Sequence, residues 1–419
     1  MKIRSLNIWQ SKMVFPAFFV SVILLYCSCS DSSDPTPDPM DDDDDMEVPM
    51  DSVPTPPPVD LPFEMVTATN LVSPSLAANS MDAEAVDIDA DGDLDLILAM
   101  EFRANIILIN TEGVFRDESA TRFPRVIHDS EDIAIADFDD DGDLDIVFVS
   151  EDDQTNEYYE NDGNAVFQTR LDVLPVAGTT NAVETFDFNN DGLPDLLLGN
   201  AGQNFLLINN GSGFEDETST RLPQNQFTTQ DVELADIDGD GDTDILETNE
   251  AFNRILINDG TGIFTDESEA RLPAVNDQTR DGEFGDIDND GDLDIFFSNV
   301  DFGGFGNPQN RLLINDGTGV FTEATDRIPA NQFNTLDADF FDFNGDGFLD
   351  VLVGNRWHQN VMKVLINDQS GNFSDESADY LPSVDVYTVD YQLGDFNGDG
   401  KTDIYMANFM GADQLVLAR

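Results

Sequence analysis

Asp236-Ile-Asp-Gly-Asp-Gly-Asp-Thr-Asp244 is one copy of a phrase that the chain writes seven times. Its general form is Asp-x-Asp/Asn-x-Asp-Gly-x-x-Asp, and the copies begin at Asp87, Asp137, Asp187, Asp236, Asp286, Asp342 and Asp395. They are spaced by 49 to 56 residues. A period of this size signals a solenoid, a propeller or an array. Carboxylates at alternate positions around a fixed glycine describe a loop that wraps a hard cation. One phrase thus bears on both the fold and the chemistry.

The residues on either side of Asp236–Asp244 complete a unit. Asp231-Val-Glu-Leu-Ala235 enters the loop as a strand, and Ile245-Leu-Glu-Thr248 leaves it as a second. Arg254-Ile-Leu-Ile257 reads as a third strand. Asn258-Asp-Gly-Thr-Gly262 is a hairpin turn, and Ile263-Phe-Thr-Asp-Glu267 is the fourth strand. Ala270-Arg-Leu-Pro273 leads into the next unit, and no stretch shows sustained helical periodicity. Four strands in each of seven units predict an all-β fold: a seven-bladed β-propeller of four-stranded antiparallel blades. The seventh unit has Ile404-Tyr-Met-Ala407 and Gln414-Leu-Val-Leu417 but no fourth strand after them. Pro62-Phe-Glu-Met-Val66, before the first loop, resembles the fourth strand of the other units. It is expected to complete the last blade and close the ring, which hides the edges that a linear array would expose.

The loop phrase resembles the calcium loop of FG-GAP and VCBS repeats, the blades of integrin-alpha-like propellers, over roughly residues 61–419. The resemblance implies calcium ligation by the side chains at positions one, three, five and nine, with a backbone carbonyl at position seven. In the first unit these are Asp87, Asp89, Asp91 and Asp95, with the carbonyl of Asp93. In the second they are Asp137, Asp139, Asp141 and Asp145, with Asp143; in the third, Asp187, Asn189, Asp191 and Asp195, with Leu193. The fourth unit offers Asp236, Asp238, Asp240 and Asp244, with Asp242; the fifth, Asp286, Asp288, Asp290 and Asp294, with Asp292. The sixth offers Asp342, Asn344, Asp346 and Asp350, with Phe348; the seventh, Asp395, Asn397, Asp399 and Asp403, with Lys401. Up to seven Ca²⁺ ions are therefore expected. Asparagine at position three lowers the local charge, so units three, six and seven should bind more weakly than the other four. An EF-hand loop is excluded, because its twelfth position needs a carboxylate and here only Glu247 of the seven could ligate.

Other residues recur around the loops. Asp82, Asp132, Asp231, Asp281, Asp337 and Asp390 stand five positions before six of them, and Ala182 before the third. Glu84, Glu184, Glu233, Glu283 and Asp339 follow two residues later. On innermost strands these would ring a central channel, either bonding to neighbouring blades or forming a carboxylate funnel. Arg122, Arg221, Arg271 and Arg327 precede Phe/Leu/Ile-Pro and are expected to pair with local acid or pack on the blade. The connections between second and third strands open on the face opposite the metal loops. They carry Phe102, Phe252, Phe302, Phe305, Trp357, His358 and Phe409. Aromatics on loops of variable length fit recognition, with Phe302, Phe305, Trp357, His358 and Phe409 as candidate ligand contacts, or else loop anchoring.

The remainder of the sequence bears on location and partners. Residues 1–29 resemble a secretion signal of the bacterial lipoprotein type: Lys2, Arg4 and Lys12, an apolar run from Met13 to Tyr26, then Cys27-Ser28-Cys29. Cys29 is the expected lipidation site; an ordinary cleaved signal or an uncleaved anchor is the alternative. Residues 30–60, with eleven acidic residues, eight prolines and no basic residue, read as a disordered tether. The net charge of −68 argues against nucleic acid and anionic lipid. The expectation is a monomeric, non-enzymatic calcium-dependent module at the cell envelope, touching the membrane only through a lipid anchor. It would bind an extracellular glycan or protein. A calcium-dependent polysaccharide lyase or hydrolase and a structural subunit of a surface assembly are the alternatives, the former with few candidate acids or bases: His128, His358, two lysines and scattered arginines.

Overall fold

The computed structural model describes residues 61–72, 79–302, 307–330, 333–356, 362–382 and 387–419. Cys29, the acidic tether, Phe305, Trp357 and His358 lie outside the described residues. Among the described residues no helix is long and apolar enough to cross a membrane.

Seven four-stranded antiparallel sheets form the compact unit Val59–Arg419. In the fourth blade the strands are Thr229–Ala235, Asp244–Asn249, Arg254–Asn258 and Phe264–Asp266, close to the expected spans. The seventh blade contains Thr388–Gly394, Asp403–Asn408 and Gln414–Ala418, and its outer strand is Phe63–Met65 from the other end of the chain. Phe63 pairs with Ala418 and Met65 with Val416 in antiparallel register. Closure by the N-terminal strand is thus borne out.

Alternation along the second strands explains the stacking of blades. Leu96, Leu98 and Met100 pack with Tyr405, Ala407 and Leu415 of the seventh blade. Ile97 and Ala99, pointing the other way, pack with Ile146, Phe148 and Tyr159 of the second. Each central strand is covered on both faces, so all six residues of Asp95–Met100 are buried. The same logic yields seven apolar layers between adjacent blades, including one where Phe63 meets Phe343 and Val416.

One element departs from the strand-only reading. Ser119–Arg122, Thr218–Arg221, Ser268–Arg271 and Ser377–Tyr380 are one-turn helices just after the outer strands. A turn of four residues is too short to leave a periodic apolar signal. It is set instead by the preceding aspartate: Asp117 Oδ1 accepts from the backbone N–H and the hydroxyl of Ser119, at 2.9 and 2.5 Å.

Candidate functional site

Each Asp-rich loop joins the first strand of a blade to its second. In the first, Asp87 Oδ1 and Oδ2 accept from the backbone N–H groups of Asp91 and Gly92, both at 3.0 Å. The Asp93 N–H donates to Asp91 Oδ1 at 3.0 Å. The chain turns in on itself because Ala90 (φ 59°) and Gly92 (φ 100°) sit in the left-handed region. A Cβ at Gly92 would meet nothing within 4 Å, so the dihedral and not crowding calls for glycine there. Position four carries the same demand, met by Asp140, Asn190 and Asn289 or by Gly239, Gly345 and Gly398.

The aspartate at position nine has a second duty. Asp95 is buried; its Oδ2 accepts from the Ile88 N–H at 3.2 Å and its Oδ1 from the Asn110 N–H at 2.7 Å. Burial pushes the carboxyls of Asp95 and Asp294 up to about 7, and those of Asp145, Asp195, Asp244, Asp350 and Asp403 to about 6. Asn110, at the end of the third strand, donates through Nδ2 to the carbonyls of Leu94 and of Phe396 in the neighbouring blade, both at 2.9 Å. Asn209, Asn315 and Asn367 repeat this clamp. In the sequence this asparagine shows only as a turn residue, although Ile-Asn recurs at the end of most third strands.

The residues of the four all-aspartate loops fit a cation. Asp87, Asp89 and Asp95 each bring a carboxylate oxygen within 4.8 Å of the others, as do Asp137, Asp139 and Asp141; Asp236, Asp238 and Asp244; and Asp286, Asp288 and Asp290. Asp89 Oδ1, Asp238 Oδ1 and Asp288 Oδ1 are buried and accept no hydrogen bond. A buried carboxylate oxygen without a donor costs free energy that a bound cation would recover. Burial, and then the neighbouring loop carboxylates, push Asp89, Asp139 and Asp288 above the usual range.

The three asparagine loops differ. Asn189 Nδ2 donates to Asp191 Oδ2 at 2.9 Å, Gln369 Nε2 to Asp346 Oδ2 at 3.0 Å, and Lys401 Nζ lies 3.4 Å from Asp399 Oδ2. Each contact occupies a position-five oxygen and lowers the pull on a cation. Calcium titration should therefore resolve a tighter class in units one, two, four and five and a weaker class in the rest. Asn344→Asp should move the sixth loop toward the tighter class by about tenfold, about 1.4 kcal/mol. Seven equal sites, or no gain from Asn344→Asp, would show that loop charge does not set the ranking.

The recurrent arginines pair locally, as expected. Arg122 reaches Glu118 at 2.7 Å, Asp89 at 3.4 Å and the carbonyl of Asn164 in the next blade at 2.9 Å. Arg271 does the same with Glu267, Asp238 and the Thr318 carbonyl. His128 is held by Asp153, with Nδ1 2.5 Å from its Oδ2.

The acidic ring lies on the innermost strands and joins the blades. Asp132, Asp231, Asp281, Asp337 and Asp390 accept from the backbone N–H of Val183, Gly282, Ala338, Tyr391 and Ala83, at 2.7 to 3.2 Å. Each acceptor lies one blade before its donor. Asp82 Oδ2 and Asp339 Oδ2 are buried without a donor. Burial, then neighbouring carboxylates, push Asp82, Asp281, Asp337 and Asp390 well above the usual range.

On the face opposite the loops, the ring opens into a cavity of about 310 Å³. Phe302 sits between two guanidinium groups, 4.8 Å from Arg280 and 4.6 Å from Arg356. Arg356 also lies 4.8 Å over Tyr387, whose ring meets Phe409 edge-on at 5.2 Å. Glu101, Glu131 and Glu151 also line this mouth, within electrostatic reach of Arg356 and Arg280. Of the candidate ligand contacts, the structure brings Phe302 and Phe409 to this mouth. Arg280, Arg356 and Tyr387 were missed, because the residue at each of their positions changes from blade to blade. Phe252 instead borders a cavity of about 430 Å³ that also touches Phe227, Arg254, Phe297 and Arg311.

A ring of blades, each carrying one Asp-rich loop, defines a repeat propeller, and the comparisons agree. The FG-GAP-like repeat family matches residues 87–148, 137–198, 187–247, 238–297, 299–353 and 342–406. The chain belongs to the FG-GAP-like repeat family. No curated protein sequence gives a match. Among solved structures it is similar to BBS1N, crystallised in complex with ARL6DN, at 10% identity and TM-score 0.56, over 86% of this chain and 97% of that one. An Agrocybe aegerita lectin that recognises non-reducing terminal N-acetylglucosamine matches at 19% identity and TM-score 0.48, over 79% and 86%. The V. cholerae biofilm matrix protein Bap1 matches at 13% identity and TM-score 0.43, over 86% and 91%.

Proposed function

We propose that this propeller is a calcium-stabilised, non-enzymatic binding module of the cell envelope that takes its ligand at the channel mouth. The observation that carries the reading is the Arg280–Phe302–Arg356 stack beside Tyr387 and Phe409, at the edge of a cavity of about 310 Å³. Aromatic rings that fix two guanidinium donors beside a wall of carboxylates give a small-ligand site apolar edges and a few convergent polar groups. Sugar rings present apolar C–H faces and a polar rim, so a glycan suits this wall; an exposed loop of a protein is the other ligand considered. The residues present fit calcium in at least four loops, where it would be held by carboxylates and would brace the opposite end of each blade. Secretion and an anchor at Cys29 belong to the same reading.

A glycan array probed with and without calcium tests the proposal. Once a ligand is found, Phe302→Ala and Phe409→Ala should weaken it at least tenfold with unchanged melting temperature. Retained affinity in both variants would move the binding site elsewhere. Release of unsaturated uronate from acidic polysaccharides would replace the binding reading with the lyase.

A further inference from the structure

A second acidic cluster stands apart from the seven loops. Asp129 precedes the first strand of the second blade, Ser130–Ala136, and Glu151 and Asp152 follow its second strand, Asp145–Ser150. Their carboxylate oxygens lie within 4.8 Å of one another. The strands place this cluster on the face opposite the repeated loops, where Glu151 also lines the channel mouth.

Two observations separate it from ordinary surface acid. Asp129 is only 1% exposed. Its Oδ2 accepts from the Asp152 N–H at 3.0 Å, while its Oδ1 is buried and has only the Phe102 backbone N–H nearby, outside good hydrogen-bond geometry. A carboxylate held this way, beside two others, needs a positive partner. Among the described residues no ion pair closes on Asp129: Arg280 pairs with Glu250 and its charge also reaches Glu151, and His128 pairs with Asp153. The cluster is also not part of the repeat. A backbone bond from the residue after the second strand to the residue before the first recurs as Glu101 to Asn79, Glu151 to Asp129, Ala201 to Thr179 and Glu250 to Thr228. The scaffold repeats, yet at these positions the first blade has Asn79, Glu101 and Phe102, and the fourth has Thr228, Glu250 and Ala251. Only the second blade has acid at all three.

We infer that Asp129, Glu151 and Asp152 form a further divalent-cation site, for calcium, at the rim of the channel mouth. Three carboxylates supply part of the six to eight oxygens that calcium takes, which leaves positions for water or for a ligand oxygen. The ion would pin the connection after Ser150 to the start of the blade and offset the repulsion on Glu101 and Glu131. A contribution to ligand capture rests on the binding reading above; the cation site does not.

Calcium stoichiometry of the full chain, by equilibrium dialysis and elemental analysis, tests the inference. The double variant Glu151→Gln/Asp152→Asn should bind one ion fewer than the parent, with a superimposable melting curve in saturating calcium. If that variant fails to fold, Asp152→Asn alone, at an exposed position, should show the last ion bound at least tenfold more weakly. Asp91→Ala, in the first repeated loop, serves as a separate control that should also lose one ion. An unchanged count in the double variant overturns the rim site, whatever Asp91→Ala does. An unchanged count in Asp91→Ala alone counts against the loop assignment and leaves the rim site standing.

Discussion

Stripped of calcium, the propeller is expected to melt on the order of 15 °C lower than in saturating calcium. The four all-aspartate loops bring three carboxylate oxygens each into a space where they repel. In three of these loops a buried oxygen, on Asp89, Asp238 or Asp288, has no hydrogen-bond donor. An ion that binds only the native loop stabilises it by about 2.7 kcal/mol at a hundredfold excess over its dissociation constant. Four such sites contribute about 11 kcal/mol, and the entropy of melting a body of this size converts that into the stated shift. The measurement is a thermal melt in chelator and in calcium at equal ionic strength, with metal analysis of both samples. Sodium should not restore the loss, because a monovalent ion cannot satisfy three converging carboxylates. Superimposable melts from protein shown to be calcium-free would sink the metal assignment.

How much of this was legible in the sequence varied with repetition. Blade number, strand order and the loop were readable because Asp-x-Asp/Asn-x-Asp-Gly-x-x-Asp recurs at a near-constant interval. Closure was readable because one blade lacked a strand and Phe63-Glu-Met65 was left over. The double role of Asp95 was not. Its partners, the Ile88 and Asn110 backbone N–H groups, are defined only once the third strand lies beside the second. The channel mouth was half readable. Phe302 and Phe409 stood out as aromatics on variable connections. Arg280 and Tyr387 occupy positions held by Gln230 and Thr228 in the fourth blade, so no pattern flagged them. Their meeting with Phe302 depends on three successive blades, the fifth to the seventh, converging on one axis, which periodicity cannot express.

Removing the N-terminal strand should cost the ring its closure. Deletion of residues 1–58 should leave the melting temperature within about 2 °C of the parent, since the acidic, proline-rich composition of residues 30–60 is that of a segment expected to bury no core. Deletion through Val66 should lower it sharply and give aggregates. Phe63 is 5% exposed and meets Phe343 edge-on at 5.8 Å in the layer between the sixth and seventh blades. Loss of such a ring costs about 3–5 kcal/mol. The strand also covers the edge of Gln414–Ala418, with the Val66 N–H donating to Leu415 at 3.0 Å and the Arg419 N–H to Pro62 at 2.7 Å. An uncovered edge of this kind recruits other chains. The next residues tie the same segment to the first blade: Asn70 Nδ2 donates to the Gly113 carbonyl at 2.7 Å, and Leu71 bridges Phe115. Without the strand, those contacts would hold only a loose end, and the seam between the last and first blades would open. Phe63→Ala isolates the packing contribution and should cost less than the deletion, because the backbone pairing survives. A variant starting at Thr67 that stays monomeric and melts with the parent would refute closure by this strand.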